Sequence, residues 1–136
     1  CYQLSKKSNS IHLLQNEDYD IIPYYLSADM LISDISSTLF EYLPMDKPII
    51  QAQCYNLKLK HRIFKKRFWK KMDIDRQDNV DFAYQIVEAD DILGMVYYAM
   101  DNQDEMSSKR KEATEHYLYK VDGNASSRLI DAIEAY

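Results

Sequence analysis

Three consecutive hydroxyl side chains follow a short apolar run in this chain, an arrangement suited to binding phosphate. The apolar run is Met30–Ile32, and the hydroxyls, here called the hydroxyl cluster, belong to Ser36, Ser37 and Thr38. When such residues begin a helix, their three backbone N–H groups and three hydroxyls can bind a pyrophosphate, aided by the helix dipole. We therefore predict that the hydroxyl cluster binds phosphate, while a helix N-cap without any ligand stays open as the alternative.

Two carboxylates flank the hydroxyl cluster. Asp34 precedes it, and either shapes the turn through an Asx hydrogen bond to a following N–H or orients a hydroxyl of a ligand. Glu41 lies one turn into the expected helix, where it either faces the same pocket or is a solvated helix carboxylate. We include both Asp34 and Glu41 in the predicted site as hydrogen-bond acceptors.

The elements around the hydroxyl cluster alternate as they do in parallel α/β sheets. Strands are predicted at Ile11–Leu14, Met30–Ser33 and Ile49–Ala52, and helices between them at Tyr19–Ala28 and Ser37–Leu43. This order with short links favours a doubly wound, Rossmann-like parallel sheet flanked by helices, with right-handed crossovers. Such sheets bind ligands at the carboxyl ends of their strands, where the hydroxyl cluster would lie.

The second half of the chain predicts one further strand and three helices. The strand is expected at Tyr84–Val87, after a loop at Met72–Asp81. The helices are expected in the ranges Asp90–Met100, Ser107–Tyr119 and Ala125–Ala135. The last helix is amphipathic, with Leu129, Ile130 and Ile133 on one face. No domain boundary is evident.

Composition excludes several classes of protein. With 136 residues, 2 Gly and 3 Pro, the chain suits one folded, largely helical domain. No apolar run approaches the roughly 20 residues of a membrane span, and no signal peptide is recognisable. The 2 Cys and 3 His form neither a disulfide framework nor a zinc signature, so no metal or cofactor is predicted and a reducing, cytoplasmic setting is expected. The first residue is Cys, so we expect a piece of a longer protein.

Positive charge is concentrated in one segment of an acidic chain. Lys58–Lys71, here called the basic segment, holds 8 of the 17 Lys and Arg residues and none of the 22 acids, so the rest carries a net charge of −13. The segment could dock on anionic membrane lipid, hold a polyanionic acceptor or be a solvated helix face. The residues assigned to membrane or acceptor contact are Lys65, Lys66, Arg67, Trp69 and Lys70. No nucleic-acid partner is predicted, because the motifs are absent and the body is acidic.

Two segments, one in each half of the chain, carry recognisable motifs. Ala28–Ser37 reads ADMLISDISS, with Phe40-Glu41 and Lys47–Ile50 after it, and Asp122–Arg128 reads DGNASSR. These segments resemble the CDP-glycerol glycerophosphotransferase family of teichoic acid synthesis, whose patterns are A/S-D-x-L-I-T/S-D-Y-S-S, a Phe-Asp pair, K/R-P-I-I and D-G-x-A-S-x-R. Ile35 stands where that family has Tyr, and Glu41 replaces its Asp.

The resemblance implies a fold and an activity. The fold would be that of a GT-B glycosyltransferase, with residues 1–136 as a single nucleotide-binding Rossmann-like domain from its C-terminal half. The activity would be transfer of glycerol phosphate, or a similar alditol phosphate, from a CDP-linked donor to a polyol-phosphate or glycan acceptor on a lipid carrier, at the inner face of the cell membrane. Ser36, Ser37 and Glu41 stand where the family contacts its donor. The catalytic base would lie upstream, so this piece alone is expected to be inactive.

Arg128 and the histidines leave alternatives open. Arg128, in the first turn of the last expected helix, could bind phosphate or pair with an acid that docks the helix. His61 and His116 are expected at the surface, His12 in a core or edge position, and no nucleophile–base pair is evident. Two other functions stay open: a GT-B domain that uses a nucleotide-sugar, and a non-catalytic module that docks on anionic membrane through the basic segment.

Overall fold

The computed structural model of this chain describes residues 8–14, 20–54 and 80–135. Within these ranges the chain forms five α-helices, three β-strands and two short 3-10 helices. The helices are α1 Ile22–Ser27, α2 Thr38–Glu41, α3 Ile92–Asp101, α4 Ser107–Leu118 and α5 Ala125–Glu134. The strands are β1 Leu31–Ser33, β2 Ile49–Ala52 and β3 Tyr84–Ile86, and the 3-10 helices are Leu43–Met45 and Ala89–Asp91.

The three strands form one parallel sheet with β2 in the middle, in the order β1-β2-β3. Leu31 pairs with Ile49 across the first pair, and Ile50 pairs with Tyr84 across the second. Parallel neighbours need a crossover connection, and α2 lies within the crossover from β1 to β2. The predicted α/β class with a parallel sheet flanked by helices is therefore confirmed.

Helices cover both faces of the sheet. Ile49 and the buried side chains of Leu39 and Tyr42 share a core on one face, which also receives residues from α1 and α4. Ile50 points to the opposite face, where it packs with Ala99 of α3. Successive strand residues point to opposite faces, and both faces of β2 are covered. This explains why the strand is the apolar run in the sequence from which it was predicted.

The predicted strand at Ile11–Leu14 is wrong. These four residues have no regular secondary structure, and the side chains of Ile11 and Leu14 are 40% and 44% exposed. His12, expected in a core or edge position, is also exposed. A strand needs a hydrogen-bonding partner, and an apolar run of four residues does not provide one.

Helix ends differ from the predictions for local reasons. The first helix begins at Ile22, whose N–H donates to Asp20 Oδ1 at 3.0 Å, and Pro23 lies in its first turn, where proline is tolerated. The second helix ends at Glu41 and gives way to a 3-10 turn containing Pro44, which lacks the N–H needed to continue an α-helix. The turn ends at Asp46 in the left-handed region, with φ 48°.

The helices of the second half follow the predicted order. The helix expected at Asp90–Met100 starts at Ile92 with Asp91 at the N-cap position, although the Asp91 side chain makes no capping hydrogen bond. α5 forms as predicted, and its apolar residues Leu129 and Ile133 are 62% and 65% exposed. In the described ranges, no helix is both long and apolar enough to cross a membrane.

Candidate functional site

The hydroxyl cluster occupies the turn between β1 and α2, at the carboxyl end of the sheet. Ser33, the last residue of β1, shares a hydrogen bond of 3.0 Å between its Oγ and Oγ1 of Thr38. Ser36 Oγ accepts a hydrogen bond from the Thr38 N–H at 3.4 Å. Ser37 is at the N-cap position, yet its hydroxyl makes no capping bond. Hydrogen bonds of Ser33, Ser36 and Thr38 thus hold the turn, and the Ser37 hydroxyl takes no part in them.

Two of the three backbone N–H groups expected for anion binding are available. Within the described residues, the Ser36 and Ser37 N–H groups have no acceptor, whereas Ser36 Oγ already occupies the Thr38 N–H. Ser37 is exposed and Ser36 is half-buried. In the described part of the chain, two N–H groups are therefore free where three are predicted, because the Ser36 hydroxyl accepts a hydrogen bond from the Thr38 N–H.

Glu41 is the last residue of α2, and its side chain contacts Tyr25 of α1. Its N–H donates to the carbonyl of Ser37 at 3.0 Å, which places it one helical turn above that residue. Its Oε2 accepts a hydrogen bond of 3.3 Å from the hydroxyl of Tyr25. Burial, together with the nearby Glu41 charge, raises the pKa of Tyr25 to about 12. Oε1 of Glu41 has no partner in the part of the chain that the structure describes, so one carboxylate oxygen is available to a ligand.

Asp34 is exposed and makes no hydrogen bond within the described ranges. The Asx hydrogen bond to the Ser36 or Ser37 N–H that would shape the turn is therefore not formed. Its side chain is open to solvent, and its other predicted role, contact with a ligand hydroxyl, stays a prediction.

A row of polar side chains, missed in the sequence, crosses the same end of the sheet. Ser33 and Gln51 are register partners on β1 and β2, and Gln51 and Gln85 are register partners on β2 and β3. Gln51 is fully buried, and among the described residues its Nε2 has no hydrogen-bond acceptor. An unsatisfied buried donor costs about 1–3 kcal/mol, so it calls for an explanation. A polar residue inside the apolar strand Ile49–Ala52 was the signal available in the sequence.

Arg128 is engaged by an acid of its own turn. Its Nη1 donates to both carboxylate oxygens of Asp122 at 2.8 Å, and Asp122 Oδ1 also accepts the N–H of Asn124. Hydrogen bonding from Arg128, more than any other cause, lowers the pKa of Asp122. Gly123 supplies the positive φ, 73°, that the turn requires. The expected pairing of Arg128 with an acid is observed, but the acid belongs to the turn that precedes α5 and does not dock the helix on another element, and phosphate binding by Arg128 stays a prediction.

The residues assigned to membrane or acceptor contact, Lys65, Lys66, Arg67, Trp69 and Lys70, lie outside the described residues, as does His61. His116 is exposed on α4, as expected, with its ring 4.7 Å from that of Tyr117. In the described ranges, no group of three or more His, Cys, Asp or Glu side chains could hold a metal ion.

The family model of CDP-glycerol:poly(glycerophosphate) glycerophosphotransferases matches residues 2–135 of the chain. This chain belongs to that glycerophosphotransferase family. The resemblance seen in the two motifs is thereby confirmed, and both motifs lie inside the matched region.

One relative of this chain is a protein of teichoic acid biosynthesis. The chain is 23% identical over 118 residues to the minor teichoic acid biosynthesis protein GgaB of Bacillus subtilis (strain 168). The alignment covers 87% of the chain and 12% of GgaB, so the glycerophosphotransferase-like chain spans a small part of that relative. No solved structure matches the chain.

Proposed function

We propose that residues 1–136 form the donor-binding domain of a transferase that moves glycerol phosphate, or a similar alditol phosphate, from a CDP-linked donor to a surface polymer. The observation that carries the proposal is the pair of unpaired N–H groups at Ser36 and Ser37, at the carboxyl end of a parallel sheet. Membership of the glycerophosphotransferase family supports the choice of donor. A GT-B arrangement, with this domain as its C-terminal half, is part of the proposal.

The pyrophosphate of the donor would lie against the Ser36 and Ser37 N–H groups and the Ser37 hydroxyl. These donors favour the negative charge that grows on the leaving group during phosphoryl transfer. Asp34 and the free Oε1 of Glu41 would accept hydrogen bonds from the hydroxyls of the glycerol. The three contacts together would hold the β-phosphorus in place for attack.

The transfer step is a direct displacement at the β-phosphorus. An oxygen of the acceptor hydroxyl forms a bond to that phosphorus, and the bond from the phosphorus to the bridging oxygen breaks. CMP leaves with the bonding electron pair, and the acceptor's proton passes to a general base. On the family resemblance we propose that the base, and most of the acceptor site, belong to another part of the enzyme, so that this domain alone would bind the donor without turnover.

Calorimetric titration of the full chain with CDP-glycerol, CTP and a UDP-sugar tests the proposal. We expect CDP-glycerol to bind most tightly and the UDP-sugar not to bind. Binding of the UDP-sugar alone would favour a nucleotide-sugar-dependent GT-B domain instead. Failure of all three nucleotides to bind would overturn the donor-site assignment.

A matched pair of variants isolates the backbone contribution. Ser37 has φ −59°, which suits proline, so Ser37→Pro removes the free N–H with little change in the turn, whereas Ser37→Ala keeps the N–H and removes the hydroxyl. A hydrogen bond to a charged group contributes about 1.5–3 kcal/mol, so we expect Ser37→Pro to weaken CDP-glycerol binding by roughly tenfold or more. Equal affinities of the Pro and Ala variants would contradict a contact through this N–H.

Membrane association is proposed for the same enzyme on the basis of the basic segment. A lipid-linked acceptor is confined to the membrane surface, and a concentration of 8 cations without any acid favours attraction to anionic lipid on the cytoplasmic side. The segment would bring the domain to its acceptor. If the chain binds anionic vesicles but no nucleotide, the result favours the alternative of a non-catalytic module that docks on the membrane.

A further inference from the structure

The buried carboxamide of Gln51 lies next to the proposed donor site. Gln51 is on β2, the middle strand, and its register partner Ser33 hydrogen-bonds Thr38 of the hydroxyl cluster at 3.0 Å. Parallel register partners point to the same face of the sheet, so Gln51 is the next side chain inward from Ser33. Gln51 is 0% exposed, and its Nε2 has no acceptor in the part of the chain that the structure describes.

A chain of hydrogen-bonded carboxamides determines which end of the Gln51 amide is the NH2 group. Gln85 Nε2 donates to the backbone carbonyl of Val80 at 3.2 Å, and a carbonyl can only accept. The Oε1 of Gln85 is thereby turned toward Gln53, whose Nε2 donates to it at 3.3 Å. Gln53 Nε2 also donates to Gln51 Oε1 at 3.1 Å. Rotating the Gln51 amide by half a turn would bring two NH2 groups together, so its Nε2 is held as a donor without an acceptor.

We propose that Gln51 Nε2 donates a hydrogen bond to a phosphoryl oxygen of the bound nucleoside diphosphate donor, an inference that rests on the proposed function. The NH2 group only donates, and phosphoryl oxygens at neutral pH only accept. The two unpaired N–H groups at Ser36 and Ser37 offer the same chemistry at the same end of the sheet. Gln51 would be the innermost of the groups that position the pyrophosphate.

Complete burial of Gln51 adds a dynamic consequence. The ligand reaches Nε2 only when the groups that cover it shift, so contact with the innermost phosphoryl oxygen is coupled to a conformational change. The energy lost by leaving Nε2 unsatisfied in the free protein is recovered in the complex, and this favours the ligand-bound arrangement.

The substitution Gln51→Met removes the donor and keeps the length of the side chain, and it also removes Oε1, the acceptor of one hydrogen bond from Gln53. The disappearance of the unsatisfied group offsets the loss of that bond, so we expect the urea midpoint to change little while the Kd for CDP-glycerol rises by about tenfold. The matched control is Asn102→Leu at the end of α3, outside the polar row. That change removes a satisfied hydrogen bond from Asn102 Nδ2 to the Tyr98 carbonyl at 2.8 Å, so stability should fall while the Kd stays within about twofold.

A nuclear magnetic resonance titration of the unaltered chain provides a readout that does not depend on a variant's folding. The side-chain NH2 signals of Gln51, assigned by their loss in the Gln51→Met spectrum or by sequential assignment, should shift more on adding CDP-glycerol than those of Gln85. Binding of CDP-glycerol with unchanged Gln51 signals, or with equal affinity in Gln51→Met, overturns this inference and leaves the proposed function standing. Absence of any nucleotide binding by the unaltered chain overturns both.

Discussion

Arg110 Nε donates to Asp46 Oδ1 at 2.9 Å and so joins α4 to the turn before β2, across 64 residues of sequence. The Arg110 side chain is 1% exposed and that of Asp46 is 33% exposed. Nη2 of Arg110 also donates to the backbone carbonyl of Asp46 at 2.9 Å and to that of Gln103 at 2.8 Å. The pair therefore holds the end of the connection from the hydroxyl cluster to β2 against α4.

We expect the substitution Arg110→Met to destabilise the domain strongly. It would leave the partly buried Asp46 carboxylate with only Ser107 and Lys111 as partners among the described residues. Removal of one partner of a buried pair costs about 3–5 kcal/mol, and we expect the lower end of that range because Asp46 is 33% exposed and keeps these two partners. Urea denaturation measures the change. The control is Lys109→Met on the same helix, whose exposed pair with Asp81 is 3.9 Å long and should contribute no more than about 1 kcal/mol. Similar losses of unfolding free energy in the two variants would contradict a structural role of the Arg110–Asp46 pair.

The same pair predicts a loss of stability in acid. Burial alone would raise the pKa of Asp46, but hydrogen bonds from Ser107, Arg110 and Lys111 outweigh it and lower the pKa below 3.8. A group with a lowered pKa in the folded state stabilises fully above its ordinary pKa, and that stability is lost as the pH falls through the folded value. Denaturation in urea at decreasing pH should therefore show a steeper loss for the natural chain than for Asp46→Asn, and parallel curves would contradict the prediction.

Removing the pair of Arg128 and Asp122 should affect α5 and not the donor site. Arg128 donates to both oxygens of Asp122, so Arg128→Met would free the turn at Gly123 and loosen the start of the helix. Amide hydrogen exchange should become faster at Ala125–Ser127. The CDP-glycerol affinity should stay within about twofold of the natural value. A clear fall in affinity would restore the alternative role of Arg128 as a phosphate ligand.

Charge reversal in the basic segment should abolish membrane attachment. Each cation near an anionic surface contributes about 1 kcal/mol, so the fourfold variant with Lys65, Lys66, Arg67 and Lys70 changed to Glu should no longer sediment with anionic vesicles. A variant with Lys109 and Lys120 changed to Glu is the control, since both lie outside the segment. Binding of the natural chain should fall with added salt. Equal sedimentation with neutral and anionic vesicles would exclude this mode of attachment.

Much of the fold could be predicted from local sequence patterns. The strand at Ile49–Ala52 is observed with the predicted bounds, and the strand–turn–helix from Leu31 to Glu41 differs by only a few residues. These elements are encoded by neighbouring residues: an apolar run, hydroxyls that begin a helix and prolines that limit it. The family motifs were visible for the same reason, because each is continuous in the sequence.

The sequence by itself determined the parallel α/β order, the position of the hydroxyl cluster and the family. The tertiary structure decided which groups of that cluster are free, that Arg110 pairs with Asp46, and that Gln51 is buried with one donor unsatisfied. The last two depend on residues that are distant in the sequence and meet only after folding, Arg110 with Asp46 and Gln51 with Gln85, which no local pattern relates. Strand formation at Ile11–Leu14 failed for the same reason, since a partner strand is a property of the fold and not of the segment.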